Sequence, residues 1–261
     1  MAGTGEQDWR NRFIPGPLLT WSVFPDGPPK IPSAETFSGA MLLVDISGFT
    51  RLTSQLSRDG NAGVEKLTRI LDDFFTGLAA LIERHGGTIF AFQGDSVLAG
   101  WRAGESDDVR SALIRACACA ETIRDRFEDW EAGDDRFGMR ISLSAGAIDL
   151  IHAGDGSARC YFVPAGDAVD RVTRLGRLTE SGEILVDEES WDLVADACTG
   201  ERGANGHMRL LRAGEPDKPG RKSSKPTANV DLFDQYLPHA LISRLNPSMP
   251  QWLGELRTTT V

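Results

Sequence analysis

From Val64 to Ile82, apolar residues return every three or four positions: Val64, Leu67, Ile70, Leu71, Phe74, Phe75, Leu78, Leu81 and Ile82. That stripe predicts one long amphipathic helix, stopped at Gly86-Gly87, and such a helix needs an apolar surface to lie on. The flanking segments supply it. Residues 40–46 form an apolar run of strand length, and residues 88–92 and 96–101 read as two strands about a tight turn at Gln93-Gly94. Each strand segment delivers one aspartate, Asp45 at the end of the first and Asp95 at the start of the strand after the turn.

Beyond this unit the pattern keeps alternating. A second helix carries Val109, Ala112, Leu113, Ala116, Cys117, Ala120, Ile123, Phe127 and Trp130 on one stripe. Ser106 is its expected cap, with Asp107 and Asp108 suiting the N-terminal dipole. Strands are expected at 139–148, 159–163, 183–186 and 208–212, and helices at 166–178 and 188–195. Strands and helices interleaved in this way predict one mixed sheet with helices packed on it.

The chain divides into four parts. Residues 1–36 are rich in proline and read as an irregular arm, anchored by Trp9, Phe13, Trp21 and Phe24. Residues 37–213 hold the domain. Residues 214–230 are rich in Gly, Pro, Lys and Ser and read as a linker, and 231–261 as a helical tail broken by Pro238.

Composition narrows the function. With 38 acidic against 28 basic side chains the net charge is −10, which disfavours a nucleic-acid-coating surface. No apolar run approaches the length of a membrane span, and the polar start does not resemble a signal peptide, so a cytoplasmic protein is expected. The 4 cysteines form neither a CxxC motif nor a disulfide framework, and Cys117 is expected in the core as a reduced thiol. No GxxxxGK[ST], HExxH or GxSxG is present, which argues against Walker-type, zinc-protease and hydrolase chemistry.

The chemistry centres on the aspartates. If their strands lie antiparallel and adjacent, Asp45 and Asp95 converge at one edge. Oxygen ligands of this kind, with a backbone carbonyl such as that of Ile46, suit hard cations, Mg²⁺ or Mn²⁺. Two such ions can clamp an in-line displacement at phosphorus. Between Asp45 and the long helix lies Ser47-Gly48-Phe49-Thr50. Its glycine permits a tight turn, and the following N–H groups suit a phosphate at a helix N-terminus. Gly94, in the second aspartate's turn, completes the candidate nucleotide contacts. Arg140, at the start of a strand, adds a cation for the triphosphate.

The segments VDISGFT and FQGD at this separation resemble the class III nucleotidyl cyclase catalytic domain, most closely the first catalytic domain of the soluble, bicarbonate-responsive adenylyl cyclases. The similarity runs from about Met41 to Val194. It implies a ferredoxin-like α+β fold and a homo- or heterodimer of two such domains. ATP, ahead of GTP, would become cyclic AMP and pyrophosphate in the groove between them, with two metal ions on Asp45 and Asp95. The family's helix pattern G-x-x-V-N-x-A-x-R is met here by Gly166, Val169, Asp170, Val172 and Arg174, so Arg174 matches the arginine that stabilises transition-state charge. Asp170 replaces the ribose-orienting asparagine, and Ala91 stands where a purine-reading Lys or Glu is usual. The basic residues of the bicarbonate pocket fall at Ala91 and about Thr173. These departures fit a metal-holding domain completed by a partner, and the tail resembles the lead-in to a second cyclase domain. A non-catalytic module that binds nucleotide or a small anion is the alternative.

Overall fold

The computed structural model describes residues 14, 16–21, 31–56, 58, 60–104, 108–128, 130–132, 135–154, 160–203, 206–216 and 235–237. In chain order these form helix α1 (Gly16–Thr20), strand β1 (Ser33–Ser47), helices α2 (Phe49–Leu56) and α3 (Gly60–Arg84), then strands β2 (Thr88–Gln93) and β3 (Ser96–Arg102). Helix α4 (Val109–Phe127) leads to β4 (Trp130–Ala132), β5 (Asp135–Gly154) and β6 (Cys160–Ala165). Helix α5 (Asp167–Gly176), strand β7 (Ile184–Val186), helix α6 (Glu188–Asp192) and strands β8 (Thr199–Arg202) and β9 (Met208–Arg212) follow.

The strands run in the order β2-β3-β1-β5-β7-β9-β8, with β4 and β6 each paired to β5. All pairings are antiparallel except β5 with β7, so the sheet is mixed, as expected for this α+β, ferredoxin-like architecture. Val44 and Ile46 of β1, Val97 and Trp101 of β3 and Ile141 and Leu143 of β5 meet Phe74, Leu78 and Ile82 of α3 and Leu113, Cys117 and Ile123 of α4 in the main core. The helical stripe read from the sequence is thus the face that α3 buries. On the other side of the sheet a smaller cluster joins Met41, Leu98, Ile148 and Leu150 to Ala168 and Val172 of α5.

Several boundaries differ from expectation. β1 begins at Ser33, so residues 33–36 belong to the sheet and not to the arm. The second helix is capped by Asp108, whose carboxylate accepts from the Ser111 amide at 2.7 Å, and not by Ser106, which lies outside the described residues. Trp130 opens the short strand β4 instead of extending that helix. Asp95 sits in the β2–β3 turn, one residue before the strand expected to carry it. Of the expected arm anchors, Trp21 is buried edge-on against Phe37 and Phe90, while Trp9, Phe13 and Phe24 lie outside the described residues. So do residues 217–230 of the linker and nearly all of the tail.

The exception in the tail is 235–237. Tyr236 and Leu237 pack with Ile14, Leu18 and Cys160. There the fully buried His152 links two groups, with Nδ1 2.9 Å from the Tyr236 hydroxyl and Nε2 2.9 Å from Glu35 Oε1. Tyr236→Phe removes one buried hydrogen bond of this chain. It is expected to lower unfolding free energy by roughly 1–3 kcal/mol, measured by urea titration against wild type.

Candidate metal and nucleotide site

Antiparallel pairing of β1 with β3 places Asp45 opposite Ser96, the residue that follows Asp95. On its other side Asp45 lies opposite Arg140 of β5. Alternation along β1 sends Val44 and Ile46 into the helix-covered core, so Asp45 projects from the opposite face. Ala91 pairs with Leu98, which pairs with Leu43, two residues before Asp45; these side chains share that face.

Asp45 is half-buried, and its carboxyl titrates above the ordinary aspartate value. Burial is the largest cause. The Arg140 guanidinium opposes it, and the negative charge of Asp95 adds to it. The two carboxylates are therefore close enough to repel. Arg140 Nη2 forms an ion pair with Asp45 Oδ2, while its buried Nε has no hydrogen-bond partner. A partly desolvated aspartate repelled by a second one carries a deficit of positive charge. A hard divalent cation would satisfy it, which fits the donor set to Mg²⁺ or Mn²⁺. Among the described residues no group of three or more His, Cys, Asp or Glu could hold a metal, so the further ligands would have to be backbone oxygen, water or substrate phosphate.

The loop after Asp45 has the expected turn. Gly48 adopts φ +91°, in the left-handed region, and helix α2 starts at Phe49. The first N–H groups of a helix lack intrahelical partners, so those at 49 and 50 are available to an anion. Ser47 Oγ donates to the Gly138 carbonyl at 3.0 Å and lies 2.6 Å from Ser181 Oγ. Its hydroxyl thus stitches the aspartate-bearing strand to β5 and to the loop before β7. Ser181 carried no motif, and only the fold reveals this role. Gly94 takes φ +66° with open space around it. Arg174 and Asp170 are both exposed on α5, the helix packed on the face of the sheet from which Asp45 projects.

Gly138→Ala tests the stitching. A Cβ there would stand 1.9 Å from Ser181 Oγ and 3.1 Å from Ser47 Oγ. Displacing both is expected to cost about 1–3 kcal/mol of stability, and to weaken Mn²⁺ binding by electron paramagnetic titration.

A nine-stranded mixed sheet, with the two longest helices on one face, a shorter helix on the other and an aspartate pair at one end, is the fold of the class III nucleotidyl cyclase domains. The chain is a homologue of the soluble adenylate cyclases. It is 31% identical to mouse (Mus musculus) adenylate cyclase type 10 over 174 residues, 66% of this chain but 11% of that relative's length. In fold it matches the dimeric guanylyl cyclase domain of the RhoGC fusion protein of Blastocladiella emersonii, with TM-score 0.59, 19% identity and coverage of 71% of this chain and 100% of that one. It also matches the adenylyl cyclase CyaB of P. aeruginosa, with TM-score 0.56, 22% identity and coverage of 72% and 98%. No family model matches the chain. No described helix is long and apolar enough to cross a membrane.

Proposed function

We propose that this chain is the metal-holding half of a purine nucleotide cyclase, converting ATP to 3′,5′-cyclic AMP and pyrophosphate in cytoplasmic signalling. The observation that carries the reading is the approach of Asp45 and Asp95 at one end of the sheet, where the charge of Asp95 raises the cost of ionising Asp45.

Asp45, Asp95 and the Ile46 carbonyl would hold two Mg²⁺ or Mn²⁺ ions. When bound, such ions polarise the attacking hydroxyl and stabilise charge on the phosphates. Asp45 and Asp95 supply the negative field that brings the ions in. The Gly48 turn aims free amides at the phosphates. Arg140 has its alternative partner in the triphosphate once a cation takes its place on Asp45. Ala91 has no polar atom with which to read a purine edge, and Asp170 places a negative charge where the family orients ribose. Base recognition and transition-state stabilisation therefore fall to a second cyclase domain, identical or different, across the open face.

The test is a cyclic nucleotide assay with Mg²⁺ or Mn²⁺, on the folded chain alone and with a complementary cyclase domain. Cyclic AMP formed with the partner present supports the reading. No product under either condition rejects it. ATP binding without turnover, whichever partner is supplied, favours the regulatory module that Ala91 and Asp170 suggest.

A further inference from the structure

We infer that Arg140 is an intramolecular stand-in for the metal. It holds Asp45 until a divalent cation replaces it, and the freed guanidinium then binds the triphosphate, so that metal and triphosphate each tighten the other's binding. This coupling rests on the metal-site reading proposed above and adds to it a rule for how the site loads.

The sheet sets the pair. β1 and β5 run antiparallel with Asp45 opposite Arg140 and Leu43 opposite Ser142. By alternation these side chains project from one face. The end of α5 closes over the Leu43–Ser142 row: a Cβ at Gly176 would stand 2.8 Å from Leu43 Cδ2 and 3.3 Å from Ser142 Oγ. Asp45 and Arg140 form the next row, with side chains 23% and 38% exposed. They are covered enough for their charges to act on each other and open enough for solutes to reach them.

The contact between them is incomplete. Arg140 Nη2 pairs with Asp45 Oδ2, while Nε is buried without a hydrogen-bond partner. Nε and Nη2 are the two donors along one edge of a guanidinium, spaced to meet two oxygens of one carboxylate or phosphate. Asp45 fills half of that edge. A buried donor left unpaired costs free energy, so Asp45 is a weak hold on Arg140. A phosphate that takes both donors satisfies the guanidinium in full.

Asp45 also has a better partner available. It stands opposite Ser96, the residue after Asp95. Two neighbouring carboxylates favour a doubly charged hard cation over one guanidinium held at one point. A divalent ion there competes for the carboxylate that Arg140 holds, and two cations on one carboxylate repel. Binding of the cation therefore releases Arg140, and capture of Arg140 by phosphate uncovers Asp45. By linkage the two effects are equal in free energy. With neither ligand present, Arg140 keeps the seat neutralised, and the site disfavours both free metal and metal-free triphosphate.

The test has two binding arms on the full chain, neither of which uses turnover. In the first, Mn²⁺ is titrated without nucleotide and followed by electron paramagnetic resonance. Arg140→Gln should bind Mn²⁺ about tenfold more tightly than wild type, the equivalent of one charge-assisted hydrogen bond released. Loss of a nearby positive charge would act in the same direction, and the second arm separates the two. Inorganic tripolyphosphate is titrated by calorimetry in excess EDTA. Asp45→Ala and Asp95→Ala each remove one negative charge, but only the first frees Arg140. Asp45→Ala should therefore bind tripolyphosphate about tenfold more tightly than wild type, Asp95→Ala should gain clearly less, and adding Arg140→Gln to Asp45→Ala should abolish the gain. Equal Mn²⁺ affinity in wild type and Arg140→Gln, equal gains in the two alanine variants, or tripolyphosphate binding that no variant tightens would overturn the exchange while leaving the metal site standing. Absence of Mn²⁺ binding in both wild type and Arg140→Gln would remove the metal site as well. Circular dichroism checks the fold of each variant, and the comparison of the two alanine variants stands if Arg140→Gln does not fold.

Discussion

Asp45→Ala, assayed with a complementary cyclase domain, should lose about a thousandfold or more of cyclic AMP formation. Removing one anchor of a metal clamp forfeits several kcal/mol of charge stabilisation, and each ~1.4 kcal/mol is a factor of ten in rate. The loss should not be an unfolding artefact. Because burial raises the Asp45 carboxyl, its ionised form is disfavoured in the folded protein and supports binding at some expense to stability. Asp45→Asn keeps the shape and a hydrogen-bond acceptor for Arg140, so it should fold like wild type and still be inactive. If Asp45→Asn keeps most of the activity, the role given to this carboxylate is wrong.

Trp101→Ala should be the most damaging substitution for stability, by about 3–5 kcal/mol. Trp101 is fully buried on β3, and its indole N–H donates to the His85 carbonyl at 2.9 Å. The ring lies so close over Gly87 that a Cβ there would approach it to 2.6 Å. One side chain thus joins the end of α3 to the strand that begins just after Asp95. Its loss opens a large cavity and leaves the His85 carbonyl short of a donor. A fall in melting temperature on the order of 10 °C is expected by calorimetry. Trp101→Phe, which refills much of the space, should fall by clearly less. Equal losses in the two variants would mean that the indole N–H, and not the packing, carries the contribution.

How much of this was legible in the sequence depended on burial. The helix over Gly60–Arg84 stood out because its core face repeats with helical period. β1 was visible only over its C-terminal half, since Ser33 to Ser38 alternates half-buried and exposed positions and carries a single large apolar residue, Phe37. β8, sequence Thr-Gly-Glu-Arg, lies at the sheet edge and pairs only with β9, so it buries too little to leave an apolar signal. Helix α2 was hidden by its shortness and by its junction with α3, where Gly60 takes φ +62°.

The site shows the same division. Asp45 and Asp95 were readable because each sits in a local motif. The ion pair between Asp45 and Arg140 was not, because it depends on which residues of β1 and β5 stand opposite each other across 95 positions of chain. The cap of α4 was ambiguous for a local reason. Ser106, Asp107 and Asp108 are all good capping residues, and only the start of the helix selects Asp108.

The most direct measurement is a count of Mn²⁺ ions by electron paramagnetic resonance, with a non-hydrolysable ATP analogue and a complementary cyclase domain present. Wild type should bind two ions per nucleotide site, and the variant carrying both Asp45→Asn and Asp95→Asn should bind none beyond those held by the nucleotide itself. Equal Mn²⁺ occupancy in the two proteins would contradict the account.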